Sequence, residues 1–195
     1  HDPCVCREVF GQAFCGCRYT ISLKMRLNLQ YTRSSFATIY IEKLKGHDND
    51  LFVKHILSRG DKQNKKTNVR ADMTEWNVTE PEWYDLCKDI IDNHIVFLSG
   101  EIEVTWRVIS VWGANYKKGD YTRYHAHLPF TFSFCYYPKV NKDFSPLVFL
   151  DLNYEVKPEE SQLVLFPSHL NHGVPSQRND EERMVIAGNI IAQYK

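Results

Sequence analysis

The chain has 195 residues, with 24 Lys plus Arg balanced by 24 Asp plus Glu, so no overall charge draws it toward nucleic acid or an anionic membrane surface. Apolar residues make up 43%, enough for a full core at this length, and no run approaches the roughly 20 consecutive apolar residues that cross a bilayer. The sequence shows no signal-peptide pattern, so a globular cytoplasmic protein without a membrane or nucleic-acid partner is expected, although its N-terminal cysteines leave secretion open.

Residues 1–24 stand apart as a cysteine-rich leader of unknown role, ahead of a domain expected over 25–195. Within CVCREVFGQAFCGC, the paired Cys4, Cys6 and Cys15, Cys17 fit a four-cysteine zinc site, two disulfides or reduced thiols. Cys87 and Cys135 stand alone and read as small buried hydrophobes. Helices are expected over about 48–95. The first has caps available at Asp48 to Asp50, a stop at Gly60, and Leu51, Phe52, His55 and Ile56 on one stripe. The polar RGDKQNKKTNVR, residues 59–70, reads as a solvated loop. Asn77-Val78-Thr79 matches a glycosylation sequon, which matters only in a secreted protein. A second helix starts with a Thr79/Glu82 capping-box pattern and Pro81, then carries Trp83, Leu86, Cys87, Ile90 and Ile91 at helical spacing. His55 and His94 read as ordinary, partly exposed helix residues.

After His94 the texture becomes short β-rich runs, giving a β core expected over about 101–193. Ile102, Val104, Trp106 and Val108 alternate with polar residues. The run RYHAHLPFTFSFCYYP puts Phe130, Phe132, Phe134 and Tyr136 on one face and Thr131, Ser133, Cys135 and Tyr137 on the other. Strands following helices suggest a mainly β fold with helical support, a double-sheet jelly roll (double-stranded β-helix, cupin-like). Its small polar face would line a cavity while the aromatics pack beneath the helices.

If residues 123–127 are extended, His125 and His127 share a face and can converge on one ligand, although paired histidines are also common on a half-exposed strand. His172, after the strand QLVLFP, could sit at the same mouth, and Arg183 opens the last strand with a donor fork suited to a carboxylate. His169 reads as solvent-facing.

The order of these pieces, VWGANYKKGDYTRYHAHLPFTFSFCYYP, LVFLDL, LVLFPSHLNHGVP and ERMVIAGN, resembles the non-haem iron and 2-oxoglutarate dependent oxygenases over roughly residues 111–190. The similarity is closest to a prolyl-hydroxylase-like branch common in bacteria and phages, and SSFATIYIEKL looks like that branch's opening. The resemblance implies a dioxygenase using Fe(II), 2-oxoglutarate as co-substrate and O2. It would hydroxylate a protein, peptide or small-molecule substrate and release succinate and CO2. It matches His125 and His172 to metal ligands and Arg183 to the partner of the far carboxylate of 2-oxoglutarate.

His127 stands where most of the superfamily has a carboxylate. A three-histidine site is favoured; two histidines with water, or a carboxylate from Asp120 or Asp151, remain alternatives. Val185 stands where some relatives place a serine that shares the co-substrate carboxylate. Tyr137, favoured among Tyr116, Tyr121, Tyr124, Tyr136 and Tyr137, and Asn189 are expected to supply that donor. Trp76, Tyr121 and Arg123 are candidates for a peptide groove. Two other functions fit the residues: a three-histidine dioxygenase that needs no keto acid, and a non-catalytic metal-binding jelly-roll module.

Overall fold

Strict alternation of side chains across the strands decides how this chain folds, because the larger sheet is covered on both faces. The computed structural model describes residues 7–9, 12–14, 25–30, 36–61, 67–96, 104–141 and 143–194. Cys4, Cys6, Cys15 and Cys17 lie outside the described residues, and so does the centre of the 59–70 loop.

In chain order the elements are β1 (Arg7–Val9), β2 (Gln12–Phe14), β3 (Met25–Gln30), β4 (Phe36–Lys43), α1 (Asn49–Arg59), β5 (Val69–Arg70), β6 (Asp72–Met73) and α2 (Pro81–Asp89). They continue with β7 (Val104–Tyr116), β8 (Tyr121–His125), β9 (Phe132–Val140), β10 (Leu147–Phe149), β11 (Tyr154–Val156), β12 (Gln162–Pro167), β13 (His172–Val174) and β14 (Arg183–Tyr194). β1 and β2 form a hairpin of their own. The rest make a seven-stranded sheet in the order β3-β4-β12-β9-β14-β7-β6 and a five-stranded sheet in the order β11-β10-β13-β8-β5. All recorded strand pairs are antiparallel, giving the double-stranded β-helix expected from the sequence. The sheets draw on more of the chain than residues 101–193, since β4, β5 and β6 add strands from before that stretch.

Parity sorts the core into two layers. Leu163 and Leu165 of β12, Phe134 and Tyr136 of β9, and Met184 and Ile186 of β14 pack with Phe52 and Ile56 of α1 and Trp83 and Leu86 of α2. Their neighbours Val164, Phe166, Cys135, Tyr137 and Val185 point into the space between the sheets. The aromatic face of FTFSFCYY therefore lies under the helices, and the small polar face lines the interior.

Local signals explain most element ends. Asp48 caps α1, its carboxylate accepting from the Leu51 N–H at 3.1 Å, and Gly60 follows the last turn with its N–H on the Ile56 carbonyl. The Thr79/Glu82 capping box does not form: Glu80 is the N-cap and no side chain caps α2, because Pro81 takes the first helical position and leaves Thr79 outside. After Asp89 the chain loosens into a π-helical segment, Ile90–Ile95, which turns His94 inward. His94 is buried beside the Tyr40 hydroxyl at 3.1 Å rather than half-exposed.

RYHAHLPFTFSFCYYP is not one strand. β8 ends at His125, a turn containing a cis Leu128–Pro129 bond follows, and β9 begins at Phe132. Proline cannot donate to a ladder, so the run breaks there.

Both helices rest directly on β7 at Gly113. A Cβ built at that position would stand 2.5 Å from the Ile56 side chain and 2.9 Å from Trp83. Gly113→Ala is expected to destabilise the protein by about 1–3 kcal/mol, the usual cost of overpacking a filled core. Urea unfolding measures this, and an unchanged midpoint would show that Ile56 and Trp83 can move aside.

Candidate active site

The interior between the sheets narrows into a slot lined at one end by His125, His127, His172 and Trp112, and at the other by Tyr116, Thr122 and Arg183. His172 lies directly across the β13–β8 pair from His125, so two strands bring these rings together. His127 follows two residues later in the turn. Potential ligand atoms of the three histidines all lie within 4.8 Å of one another, and the ring centroids are 4.6–5.0 Å apart.

Two rings are aimed by their own backbone. His125 Nδ1 is 2.7 Å from the Arg123 carbonyl and His172 Nδ1 is 2.9 Å from the Leu170 carbonyl. A carbonyl can only accept, so both Nδ1 atoms carry the proton and both Nε2 atoms keep a free lone pair for the slot. Phe166 packs edge-on against His172 at 4.7 Å and Phe149 stands behind it at 6.2 Å. Trp112 faces His127 at 6.1 Å, and no hydrogen bond holds the His127 ring among the described residues.

Burial pulls His172 down to about 3 and, with the neighbouring His125, pulls His127 down to about 4. It lowers His125 as well. Three neutral imidazoles with converging lone pairs form a donor set for a borderline divalent metal such as iron. Neither alternative carboxylate joins them. Asp120 accepts from the Lys117 N–H in a turn, and Asp151 accepts from the Asn171 N–H. His169 is exposed.

At the far end Arg183 is almost fully buried, its guanidinium 4.8 Å from the Tyr116 ring centroid and 5.0 Å from that of Tyr137. Nη2 donates to the Tyr137 hydroxyl at 3.3 Å, whereas Nε and Nη1 have no partner among the described residues. A buried cation with two unpartnered nitrogens and, among the described residues, no acid beside it is the chemistry of an anion receptor. The Tyr116 hydroxyl lies 2.5 Å from Thr122 Oγ1 at the same end. Thr122 is three residues from His125 on β8, about 10 Å along the strand. That separation suits a short dicarboxylate.

Tyr137 thus stands beside Arg183, as expected from strand parity. Tyr136 turns to the helix side, where its hydroxyl bonds Asn49, and Tyr124 faces solvent. Asn189 is a correction. It is six residues from Arg183 on β14, about 20 Å along the strand, too far to share one carboxylate. Its amide instead bonds Ser133 and Ser110. Sequence reasoning placed Ser133 on the cavity face but gave no role to Trp112, Phe166 or Ser168. Only pairing across strands shows them, as it shows Tyr116 opposite Arg183.

A family model described as "Putative 2OG-Fe(II) oxygenase" matches residues 150–189, which include His172 and Arg183. No curated protein matches the chain. Among solved structures, the fold is similar to a viral collagen prolyl hydroxylase of Paramecium bursaria Chlorella virus-1 in a 2-oxoglutarate complex, at 17% identity and TM-score 0.56, covering 77% of this chain and 94% of that one. It is also similar to a Pseudomonas putida prolyl-4-hydroxylase, at 13% identity and TM-score 0.58, covering 80% and 92%. A third is a Trichoplax adhaerens prolyl hydroxylase in complex with a hypoxia inducible factor peptide fragment, at 14% identity and TM-score 0.57, covering 77% and 82%.

The lowered histidine values have a consequence for the metal-free protein. Below about pH 6.5 the unfolded chain takes up protons that His172 and His127 refuse in the fold, so stability falls as pH drops toward 4. His172→Gln is expected to flatten that fall, measured as the thermal midpoint against pH in the presence of a chelator. An equal slope in the variant would place the lost stability elsewhere.

Proposed function

We infer that this chain, which the family match and the shared jelly roll indicate to be a 2-oxoglutarate and iron(II) dependent oxygenase, hydroxylates a protein or peptide substrate. His125, His127 and His172 would hold the iron, and Arg183 with Tyr137 would hold the far carboxylate of 2-oxoglutarate. The observation that carries this reading is the pairing, within one slot, of converging neutral imidazoles with a buried guanidinium that lacks an acid. A closed structural metal site would need only the first of these. An oxygenase that uses no keto acid would have to find another anion for Arg183.

The chemistry supplied by bound iron(II), 2-oxoglutarate and O2 turns a substrate C–H into C–OH, with one oxygen atom entering the substrate, the other entering succinate, and CO2 lost. The chain's own residues bind, orient and exclude water. The Arg123 and Leu170 carbonyls hold two imidazoles in the tautomer that offers Nε2. Arg183 orients the co-substrate by charge and by its fork of donors. Phe166, Trp112 and Val174 keep the slot walls apolar, which strengthens each electrostatic contact inside it. The burial that lowers the histidines keeps them unprotonated at neutral pH.

Exposed apolar side chains near the site support a peptide substrate. Trp76 is 45% exposed and packs edge-on against Trp112 at 4.6 Å, while Tyr124 (46%) and Leu128 (72%) directly precede His125 and follow His127 in sequence. Such exposed aromatic and aliphatic side chains suit an extended segment with apolar residues. Likeness to prolyl hydroxylases, one of them solved with a peptide, points the same way.

Anaerobic addition of iron(II) and then 2-oxoglutarate is expected to produce the visible charge-transfer band of a chelated keto acid. His125→Ala should abolish the band. Arg183→Ala should raise the 2-oxoglutarate needed by about 30-fold or more, from the 2–5 kcal/mol cost of removing one buried charged partner, and alter iron binding little. Iron binding with no band would turn the assignment to a dioxygenase that needs no keto acid.

With iron, 2-oxoglutarate and O2 present, proline-containing peptides are expected to gain one oxygen atom in step with succinate release, read by mass spectrometry. Oxygen gain confined to small molecules would overturn the peptide reading.

A further inference from the structure

We propose that Asn189 is a positioning residue for His127, acting through a buried chain of hydroxyls rather than by touching the co-substrate. The proposal rests on the metal-site reading above. Of the three imidazoles, His127 is the one whose ring no hydrogen bond secures among the described residues, so its place depends on its backbone and on Trp112. The His127 carbonyl accepts from the Phe130 N–H within the turn itself at 3.0 Å, and the contact that ties this backbone to another element is the His127 N–H, which donates to the Ser168 carbonyl at 2.8 Å. The Ser168 N–H donates back to the Thr131 carbonyl at 3.1 Å, so Ser168 grips both sides of the turn between β8 and β9.

Ser168 is in turn fixed by its side chain. Its hydroxyl lies 2.7 Å from that of Ser133, and the Ser133 hydroxyl donates to Asn189 Oδ1 at 2.9 Å. Since Ser133 gives its single proton to Asn189, Ser168 must be the donor to Ser133. Asn189 Nδ2 completes the series by donating to Ser110 Oγ at 3.0 Å. Ser133, Ser168 and Asn189 are all buried. The series crosses four strands or their ends (β7, β14, β9 and β12) and terminates on the turn that carries His127.

The arrangement is directional. An apolar residue could fill the volume of Asn189, but Ser133 would lose the acceptor for its proton and Ser110 its donor, and Ser133 would be free to turn its proton toward Ser168. The Ser168 hydroxyl would then accept from Ser133 instead of donating to it, its own proton would be left without an acceptor, and the side-chain anchor of the carbonyl that holds His127 would be weakened. Outer groups that orient ligands commonly alter metal affinity by about 10–100-fold when removed. His125 and His172 have their anchors two residues away in sequence, whereas the anchor of His127 lies 62 residues away in Asn189.

Cobalt(II) is the probe, added without 2-oxoglutarate to metal-free wild type and to Asn189→Ala, Ser133→Ala, the double variant and His127→Ala. Affinity and visible d–d spectrum are recorded together with the thermal midpoint of each metal-free protein. The expected result is cobalt binding roughly 10-fold weaker in each single variant, with a spectrum displaced toward that of His127→Ala. The double variant should be no weaker than the weaker single one, because both cut the same series.

Cobalt affinity equal to wild type in Asn189→Ala would overturn the proposal. So would a raised 2-oxoglutarate requirement with unchanged cobalt binding, which would make Asn189 a co-substrate contact. A lowered thermal midpoint with an unaltered cobalt spectrum would reduce the residue to a structural role and overturn it too. Should Asn189→Ala fail to fold, Ser110→Ala removes only the outermost partner and is judged by the same cobalt criterion. Wild type that takes up no cobalt would overturn the metal-site reading first and this proposal with it.

Discussion

A guanidinium buried between two sheets is the constraint around which the interior is organised. Desolvating an unpaired charge costs several kcal/mol, and hydrophobic packing cannot recover that energy at the charge itself. The fold limits the cost by flanking Arg183 with the faces of Tyr116 and Tyr137 and giving one donor to the Tyr137 hydroxyl. Its Nε and Nη1 nitrogens have no partner among the described residues, and Arg183 lines the slot. The interior therefore could not close into a uniformly apolar core. A polar pocket at the Arg183 end is the form in which this charge can be buried, and the slot that runs from it to the histidines follows.

The other face of the same strands supplies the rigidity. Arg183 and Val185 point into the slot while Met184 and Ile186, between and after them, are locked beneath α1 and α2. Cys135 and Tyr137 alternate in the same way with Phe134 and Tyr136. Each functional side chain on these strands thus has immediate neighbours fixed in a close-packed layer, the support that a site needs to hold its geometry within a fraction of an ångström. Gly113 and Gly188 serve the same packing by letting side chains approach the backbone, at Gly188 the Phe134 ring.

Much of this was legible in the sequence because alternation is local. The two layers of β9 and the placement of Tyr137 beside Arg183 both follow from period two. The failures occurred where the outcome depended on distant chain. Leu128-Pro129 broke a run that looked continuous, yet the turn still returned His127 to its neighbours because Ser168, just past the end of β12, grips it. His94 looked like a partly exposed helix residue, but the π-helical segment turns it toward Tyr40. Asn189 shared strand parity with Arg183, but parity assigns a face and not a position along the strand, and the difference separates one end of the slot from the other.

The replacement of the usual carboxylate by His127 alters the charge balance of the proposed site. Three neutral imidazoles contribute no charge, so a divalent cation there would keep its full +2, and Arg183 adds a further positive charge at the opposite end of a slot with mostly apolar walls. With a carboxylate ligand, part of that charge would be cancelled before any co-substrate arrived. Without one, most of the compensation must come from what binds, and a dianion with one carboxylate for each end offsets two of the three positive charges at the places where they sit. The histidine substitution and the unpaired arginine are therefore linked features. Both shift the task of neutralising the interior from the protein to its co-substrate, which favours an ordered sequence in which the diacid enters before the interior is dry enough for chemistry.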